Sequence, residues 1–134
     1  MKISIIIPCY NEVKTLNLII EKIINKKNLD KEIIIVDDFS DDGTRDIIKN
    51  ELSEKVTKIL YNDKNYGKGY SVRRGISVST GDIVLIQDAD LEYSPDDYEK
   101  LLKPILDGHA DVVYGSRFKS SEITRVLYFW HTLG

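Results

Sequence analysis

The chain has 134 residues, 42% of them hydrophobic and 31% charged, and its formal net charge is -3. This length predicts one domain with a substantial core, and the balance of apolar and charged residues argues against a disordered chain. The mild acidity argues against nucleic-acid binding, which requires a basic surface. The single cysteine, Cys9, excludes an internal disulfide and a cysteine-based zinc site. No apolar run approaches the roughly 18 residues of a membrane span, so we expect a cytoplasmic domain.

The predicted elements alternate between apolar strands and helical segments along the chain. The predicted strands are Ile3–Ile7, Glu32–Asp37, Val56–Tyr61, Ile83–Gln87 and Asp111–Tyr114. The predicted helices are Thr15–Lys27, Thr44–Leu52, Lys68–Ser79 and Ser94–Leu106, the last with Pro104 in its final turn. Strands separated by helices form right-handed βαβ units, so we expect an α/β fold with a mostly parallel sheet and helices on both faces.

A polar cluster follows each predicted strand. The clusters are Pro8–Glu12, Asp37–Thr44, Asn65–Gly69, Asp88–Glu92 and Gly115–Arg117. In a parallel sheet the carboxyl ends of the strands meet at one edge, and ligands bind there. Five polar clusters at one edge therefore predict a binding site.

The segment Asp88-Ala89-Asp90 is the sharpest of these signals. Residues i and i+2 of an extended segment point to the same side, and two adjacent carboxylates repel each other unless a cation lies beside them. Mg²⁺ and Mn²⁺ take oxygen ligands and often complete their shell with substrate phosphates. Glu92 continues the alternation as a third acid. The competing interpretation is a solvated acidic turn that caps the next helix, but the position after a buried strand favours a metal site.

Other strand ends carry candidates for ligand binding. One carboxylate of Asp37-Asp38 is expected to face the site and accept hydrogen bonds from a base or a ribose, whereas helix capping is the alternative. Lys68 lies between two glycines and supplies positive charge for a phosphate, with Arg73 one helical turn further on. Arg117 after the fifth strand is a further cationic candidate, for which a surface salt bridge is the alternative.

Several nucleotide-binding and signalling folds do not fit the pattern. The first strand lacks the glycine motif of dinucleotide-binding Rossmann domains, and the Lys68 loop lacks the earlier glycine of a P-loop. A phospho-receiver domain would match the length and the acids Asp37, Asp38 and Asp88. However, it requires an acidic pair after the first strand, so it stays a remote alternative.

Six segments together resemble family-2 glycosyltransferases of the GT-A fold, and within them the dolichol- or polyprenyl-phosphate sugar synthases. The segments are Ile5–Glu12, Ile35–Thr44, Asn65–Gly69, Thr80–Asp82, Gln87–Glu92 and Gly115–Phe118. The resemblance implies a three-layer sandwich. It also implies inverting transfer of a sugar from a UDP- or GDP-sugar to an acceptor, which is expected to be a polyprenyl phosphate in cell-envelope biosynthesis.

The same resemblance implies a role for each matching residue. The nucleotide-sugar-binding residues would be Pro8, Tyr10, Glu12, Val36, Asp38, Lys68, Arg73, Asp88 and Ala89. The ligands of Mg²⁺ or Mn²⁺ would be Asp88, Asp90 and Glu92, and the catalytic residues would be Asp90 and Arg117. The metal would stabilise the leaving nucleoside diphosphate as charge develops on it.

The end of the chain departs from the family pattern, because members usually continue well beyond this point. We therefore divide the chain into a nucleotide-sugar-binding core, 1–118, and the start of an acceptor-side or membrane-proximal segment, 119–134. The apolar segment Val126–Trp130 fits either an interfacial helix or core that awaits a partner. Two functions stay open: an active transferase in peripheral contact with a membrane, and a donor-binding part without transfer activity of its own. Oligomeric state is open too.

Overall fold

One six-stranded sheet organises the chain. The computed structural model describes residues 2–90, 95–106, 112–116 and 123–129. The strands are β1 (Ile3–Cys9), β2 (Lys31–Asp37), β3 (Lys58–Tyr61), β4 (Ile83–Ile86), β5 (Val112–Ser116) and β6 (Ile123–Phe129). The alternation of strands and helices through β5 confirms the predicted α/β class.

Four α-helices connect the strands within the described ranges. They are α1 (Leu16–Ile24), α2 (Thr44–Ile47), α3 (Lys68–Ser77) and α4 (Tyr98–Leu106). The chain continues α2 with a π-helical turn at Ile48–Leu52, and a 3₁₀ turn at Pro95–Asp97 leads into α4. A membrane span needs about 20 helical residues. Within the described ranges, no helix is both long and apolar enough to cross a bilayer.

The order of strands in the sheet is β3-β2-β1-β4-β6-β5. β1 pairs in parallel with β2 and with β4, and β2 pairs in parallel with β3. β6 is antiparallel to both β4 and β5, so β5 runs in the same direction as the first four strands. The sheet is mostly parallel, as predicted, and the carboxyl ends of five strands lie at one edge.

Two apolar clusters cover opposite faces of the sheet. In β1, Ile5 and Ile7 belong to a cluster that includes residues of α1, α2 and α4, whereas Ile6 belongs to a second cluster with Ile76 of α3. Successive strand residues point to opposite faces, so a strand covered on both sides is apolar at every position. Each fully buried isoleucine contributes roughly 1.5–3 kcal/mol. The predicted three layers are confirmed.

The apolar segment near the end of the chain is a strand. Ile123–Phe129 forms β6 between β4 and β5, so the interpretation of this segment as an interfacial helix is wrong for Val126–Phe129, and Trp130 lies outside the described residues. The sequence ITRVLYF is rich in β-branched and aromatic residues, which suit a pleated surface. The division of the chain into 1–118 and 119–134 stays a prediction.

Candidate functional site

A cavity of about 360 Å³ opens at the edge where the parallel strands end. Its walls come from the segments that follow β1, β2, β3 and β4. The lining residues are Pro8, Cys9, Tyr10, Glu12, Asp38, Lys68, Ser71, Asp88, Ala89 and Asp90. This size and position are typical of a small-molecule site in an open α/β sheet.

The cavity brings together most of the residues that the sequence singled out. Predicted residues from all four segments meet there, namely Pro8, Tyr10, Glu12, Asp38, Lys68, Asp88, Ala89 and Asp90. Val36 instead lies fully buried in the core cluster that α3 covers, and Arg73 lies on the exposed side of α3. Glu92 and Arg117 lie outside the described residues. The functional roles of all these residues stay predictions.

Of the two successive aspartates after β2, Asp38 lines the cavity. Its Oδ1 accepts hydrogen bonds from the Asn62 side-chain amide at 2.9 Å and from the Tyr66 N–H at 2.8 Å. Its Oδ2 accepts one from the Gly67 N–H at 2.9 Å. Asp38 therefore fixes the loop between β3 and α3 while it faces the site.

Asp37 faces a different, fully buried environment. Its carboxylate accepts the Arg45 Nε–H at 2.5 Å, and the Ser40 hydroxyl and N–H at 2.6 and 3.1 Å. Arg45 also lies over the rings of Phe39 and Tyr61, each centroid 5.2 Å from its guanidinium carbon. A buried aspartate that is paired and hydrogen-bonded in this way holds the loop after β2 in place. Removing one partner of such a buried ion pair typically lowers the free energy of unfolding by about 3–5 kcal/mol.

The loop before α3 delivers a positive charge to the cavity. Gly67 has a φ of 97°, a conformation that L side chains rarely adopt, so glycine is required there. Lys68 follows as the first residue of α3, and its Nζ lies 2.5 Å from Oδ1 of Asp88. The predicted lysine and the predicted acid thus form an ion pair across the site.

Three residues that the sequence analysis did not select hold the acidic segment in place. The Thr15 hydroxyl donates to the carbonyl of Ala89 at 2.7 Å. The Gln87 side-chain amide donates to the carbonyl of Asp88 at 3.0 Å, and the Tyr98 hydroxyl donates to Gln87 Oε1 at 2.7 Å. Thr15 carries a sequence signal as a helix cap, but Tyr98 sits among apolar helical positions and carries none.

Negative charge accumulates in the cavity. Burial raises the pKa of Glu12, whereas a hydrogen bond from the Thr15 hydroxyl lowers it. The neighbouring charges of Asp90, Asp42 and Asp88 raise the pKa further, so the net shift is upward. Carboxylate oxygens that gather at one cavity suit a hard divalent cation. Across the part of the chain that the structure describes, no group of three or more His, Cys, Asp or Glu residues forms a metal site. Asp88 and Asp90 would therefore need water and ligand phosphates to complete a cation shell.

Cys9 also lines the cavity, but its chemistry is that of a protonated thiol. Burial raises its pKa well above the usual value, and the neighbouring charge of Asp37 raises it further. Thiolates are the nucleophilic form of cysteine, so this residue is suited to packing rather than to reaction.

Solved glycosyltransferases share this fold. S. aureus TarS 1-349 superposes with a TM-score of 0.69 and 26% sequence identity, over 84% of this chain and 34% of the TarS 1-349 chain. A mannosyltransferase from Pyrobaculum calidifontis, PcManGT in complex with GDP-Man and Mn²⁺, superposes with a TM-score of 0.71 and 24% identity, over 82% of this chain and 34% of its own. The structure thus has the GT-A fold of glycosyltransferases.

The sequence model of glycosyl transferase family 2 matches residues 4–131, and the chain belongs to this family. A dolichol-phosphate mannosyltransferase of Pyrococcus furiosus is 36% identical over 119 residues, which are 88% of this chain and 34% of the relative. An undecaprenyl-phosphate 4-deoxy-4-formamido-L-arabinose transferase of Yersinia enterocolitica is 34% identical over 118 residues, 84% of this chain and 36% of the relative. The chain thus spans about a third of the length of these relatives. The predicted membership of glycosyltransferase family 2 is confirmed, and the alternative of a phospho-receiver domain is wrong.

Proposed function

We propose that this chain is an inverting, metal-dependent glycosyltransferase that moves a sugar from a UDP- or GDP-sugar to an acceptor, which we infer to be a polyprenyl phosphate. The observation that carries the proposal is the cavity, where Asp38, Lys68, Asp88 and Asp90 converge at the carboxyl edge of a parallel sheet. Relatives are named for transfer to dolichol phosphate and undecaprenyl phosphate, and similar structures are complexes with GDP-Man or UDP-GlcNAc.

Each side chain has chemistry that suits a nucleoside diphosphate. Tyr10 is 46% exposed and lines the cavity with Pro8, so its ring offers a flat wall for a base. The Asp38 carboxylate accepts three hydrogen bonds from the protein, which leaves about one of its roughly four acceptor sites for an N–H of a base. Lys68 brings positive charge to the diphosphate. Asp88 and Asp90 would hold Mg²⁺ or Mn²⁺, which supplies positive charge that stabilises the leaving nucleoside diphosphate.

A phosphate acceptor suits this site because it is already an anionic nucleophile. Its oxygen would attack the anomeric carbon of the sugar as the bond from that carbon to the diphosphate oxygen breaks, which inverts the configuration. A hydroxyl acceptor would need a general base to remove its proton, whereas a phosphate does not. The lipid tail of such an acceptor stays in a bilayer, so the working enzyme would contact a membrane surface.

Thermal unfolding with UDP or GDP, each with and without Mn²⁺, tests donor binding. We expect one of the two nucleotides to stabilise the chain in a Mn²⁺-dependent manner, by about 2.7 kcal/mol at a hundredfold excess over its Kd. The substitution Asp90→Ala should abolish the Mn²⁺-dependent part. Asp46→Ala, an equal charge change at an exposed position of α2, should leave it intact. Absence of any nucleotide effect would overturn the proposal.

A second candidate is a donor-binding part without transfer activity of its own, and it is favoured by the span of about a third of the relatives' length. Incubation of the 134-residue chain with a UDP- or GDP-sugar, Mn²⁺ and polyprenyl phosphate separates the two. Formation of the glycosyl lipid supports transfer by this chain alone. Nucleotide binding without product supports the second candidate.

A further inference from the structure

The ion pair between Lys68 and Asp88 spans the edge of the sheet. Lys68 follows β3 and Asp88 follows β4, and in the sheet β2 and β1 lie between these two strands. The Nζ to Oδ1 distance is 2.5 Å, and both residues line the cavity. The pair therefore bridges the cavity above the ends of β2 and β1.

The backbone at Lys68 is fixed, but the side chain is not enclosed. Asp38 holds the preceding N–H groups of Tyr66 and Gly67, and the Asn62 amide joins Asp38 to the Ser71 hydroxyl at 3.0 Å. The Lys68 side chain is 59% exposed, and within the described part of the chain Asp88 is its ion-pair partner. The ammonium can therefore leave Asp88 without any movement of α3.

The position that the ammonium occupies is the one that a divalent cation needs. Mg²⁺ binds carboxylate oxygens at about 2.0–2.1 Å, so an ion on Oδ1 of Asp88 would lie close to an ammonium that stays 2.5 Å from the same oxygen. Two neighbouring cations would also repel each other in a partly buried site. The anionic diphosphate of a bound nucleotide changes this balance, because it offers the displaced ammonium a new partner close by.

We propose that Lys68 occupies the cation position on Asp88 until a divalent ion and a nucleoside diphosphate bind together, at which point its ammonium transfers from Asp88 to the diphosphate. The inference rests on the proposed function. It makes Lys68 an internal competitor of the metal when no nucleotide is present. It also makes Lys68 the residue that couples metal binding to nucleotide binding.

Titration of the full chain with Mn²⁺ alone tests the competition, with the electron paramagnetic resonance signal of free Mn²⁺ as the readout. Lys68→Met should bind Mn²⁺ about three- to tenfold more tightly than the unaltered chain, because the competitor is gone. Lys64→Met is the matched control. It removes the same charge from the loop just before Lys68, at an exposed lysine that lies 5.2 Å from the Tyr66 ring, so its effect should be less than twofold.

The same titration in the presence of saturating UDP, and then of GDP, tests the coupling. The nucleotide that binds should raise the Mn²⁺ affinity of the unaltered chain and of Lys64→Met by a larger factor than that of Lys68→Met. Equal Mn²⁺ affinities of Lys68→Met and Lys64→Met without nucleotide would overturn the inference while leaving the proposed function standing. Failure of the unaltered chain to bind either nucleotide would instead overturn the proposed function. Absence of Mn²⁺ binding in every variant would overturn the competition itself.

Discussion

At the scale of single residues, a buried and closely hydrogen-bonded charge lies at the end of the sheet opposite the cavity. Glu32 near the start of β2 is 2% exposed. It accepts hydrogen bonds from the Ser4 hydroxyl and the Thr80 N–H, both at 2.5 Å, and the Lys58 ammonium lies 3.4 Å away. Burial alone would raise the pKa of Glu32, but these hydrogen bonds and this charge outweigh burial and lower the pKa to about 2.

We therefore predict that Glu32→Gln destabilises the chain by about 3 kcal/mol at pH 7, since a pKa lowered from 4.5 to about 2 corresponds to a difference of that order. The folded form holds fewer protons at this site than the unfolded form does. The contribution is therefore complete above pH 4.5 and is lost as the pH falls towards 2. Urea unfolding of both chains at pH 7 and pH 3 should show their stability difference shrinking at the lower pH.

A suitable control is Glu21→Gln, because that carboxylate is 50% exposed in its ion pair with Lys55. Exposed pairs contribute about 0–1 kcal/mol, so this variant should unfold close to the unaltered chain at both pH values. If the difference in unfolding free energy between Glu32→Gln and the unaltered chain does not change with pH, then the charge of the Glu32 carboxylate does not stabilise the fold.

The two aspartates after β2 illustrate what sequence can predict about single residues. Successive residues of a strand point to opposite sides, so the sequence alone predicts that only one of Asp37 and Asp38 faces the site. Which one faces it depends on Arg45, eight residues further on, which pairs with Asp37 at 2.5 Å. That contact is set by the position of α2 over the sheet, and no local pattern encodes it.

At the scale of elements, the approach of α3 to the sheet depends on a glycine. A Cβ built on Gly75 would lie 2.6 Å from Cγ2 of Ile6 and 3.3 Å from Cγ2 of Val36, both buried in the sheet. The helix carries Lys68 and Ser71 at its other end, so its distance from the sheet also sets the width of the cavity.

We predict that Gly75→Ala destabilises the chain by about 1–2 kcal/mol, because the cost of overpacking exceeds the gain in helix propensity. Gly69→Ala in the same helix is the matched control. Its added Cβ would meet only the flexible end of Arg73 at 3.7 Å, so the variant should be neutral or more stable by up to about 1 kcal/mol. Thermal unfolding should give a lower melting temperature for Gly75→Ala than for Gly69→Ala. Equal melting temperatures of the two variants would contradict this account.

The strands were predictable to different degrees for a physical reason. A fully buried strand such as β2 is a short apolar run bounded by polar turns, and the prediction of Glu32–Asp37 differs from the observed Lys31–Asp37 by one residue. The segment that forms β6 is also a short apolar run, but periodicity alone cannot separate a buried strand from a helix turn there. Its antiparallel pairing with β4 and β5 comes from tertiary contacts.

At the scale of the whole molecule, the sheet has a rigid centre beneath the cavity. β1 carries the residues from Pro8 to Glu12 into the site and is hydrogen-bonded on both sides, to β2 and to β4. All seven residues of β1 are buried. β3, which leads to the Lys68 loop, lies at the edge of the sheet and its four residues are only half-buried. The site is therefore built from one firmly held segment and one peripheral loop.

This difference predicts the pattern of amide hydrogen exchange. Amides of Ile5–Ile7 should exchange only through global unfolding, because each lies in a strand paired on both sides and covered on both faces. In β3 at most every second amide can point towards β2, so the others should exchange at least a hundredfold faster than those of β1. Exchange measured by NMR, with the free energy of unfolding from urea as the reference for β1, checks both statements. Equal protection in β1 and β3 would mean that the free side of the outer strand β3 is covered in solution. The segment that leads from β3 to Lys68 would then be as rigid as the centre of the sheet.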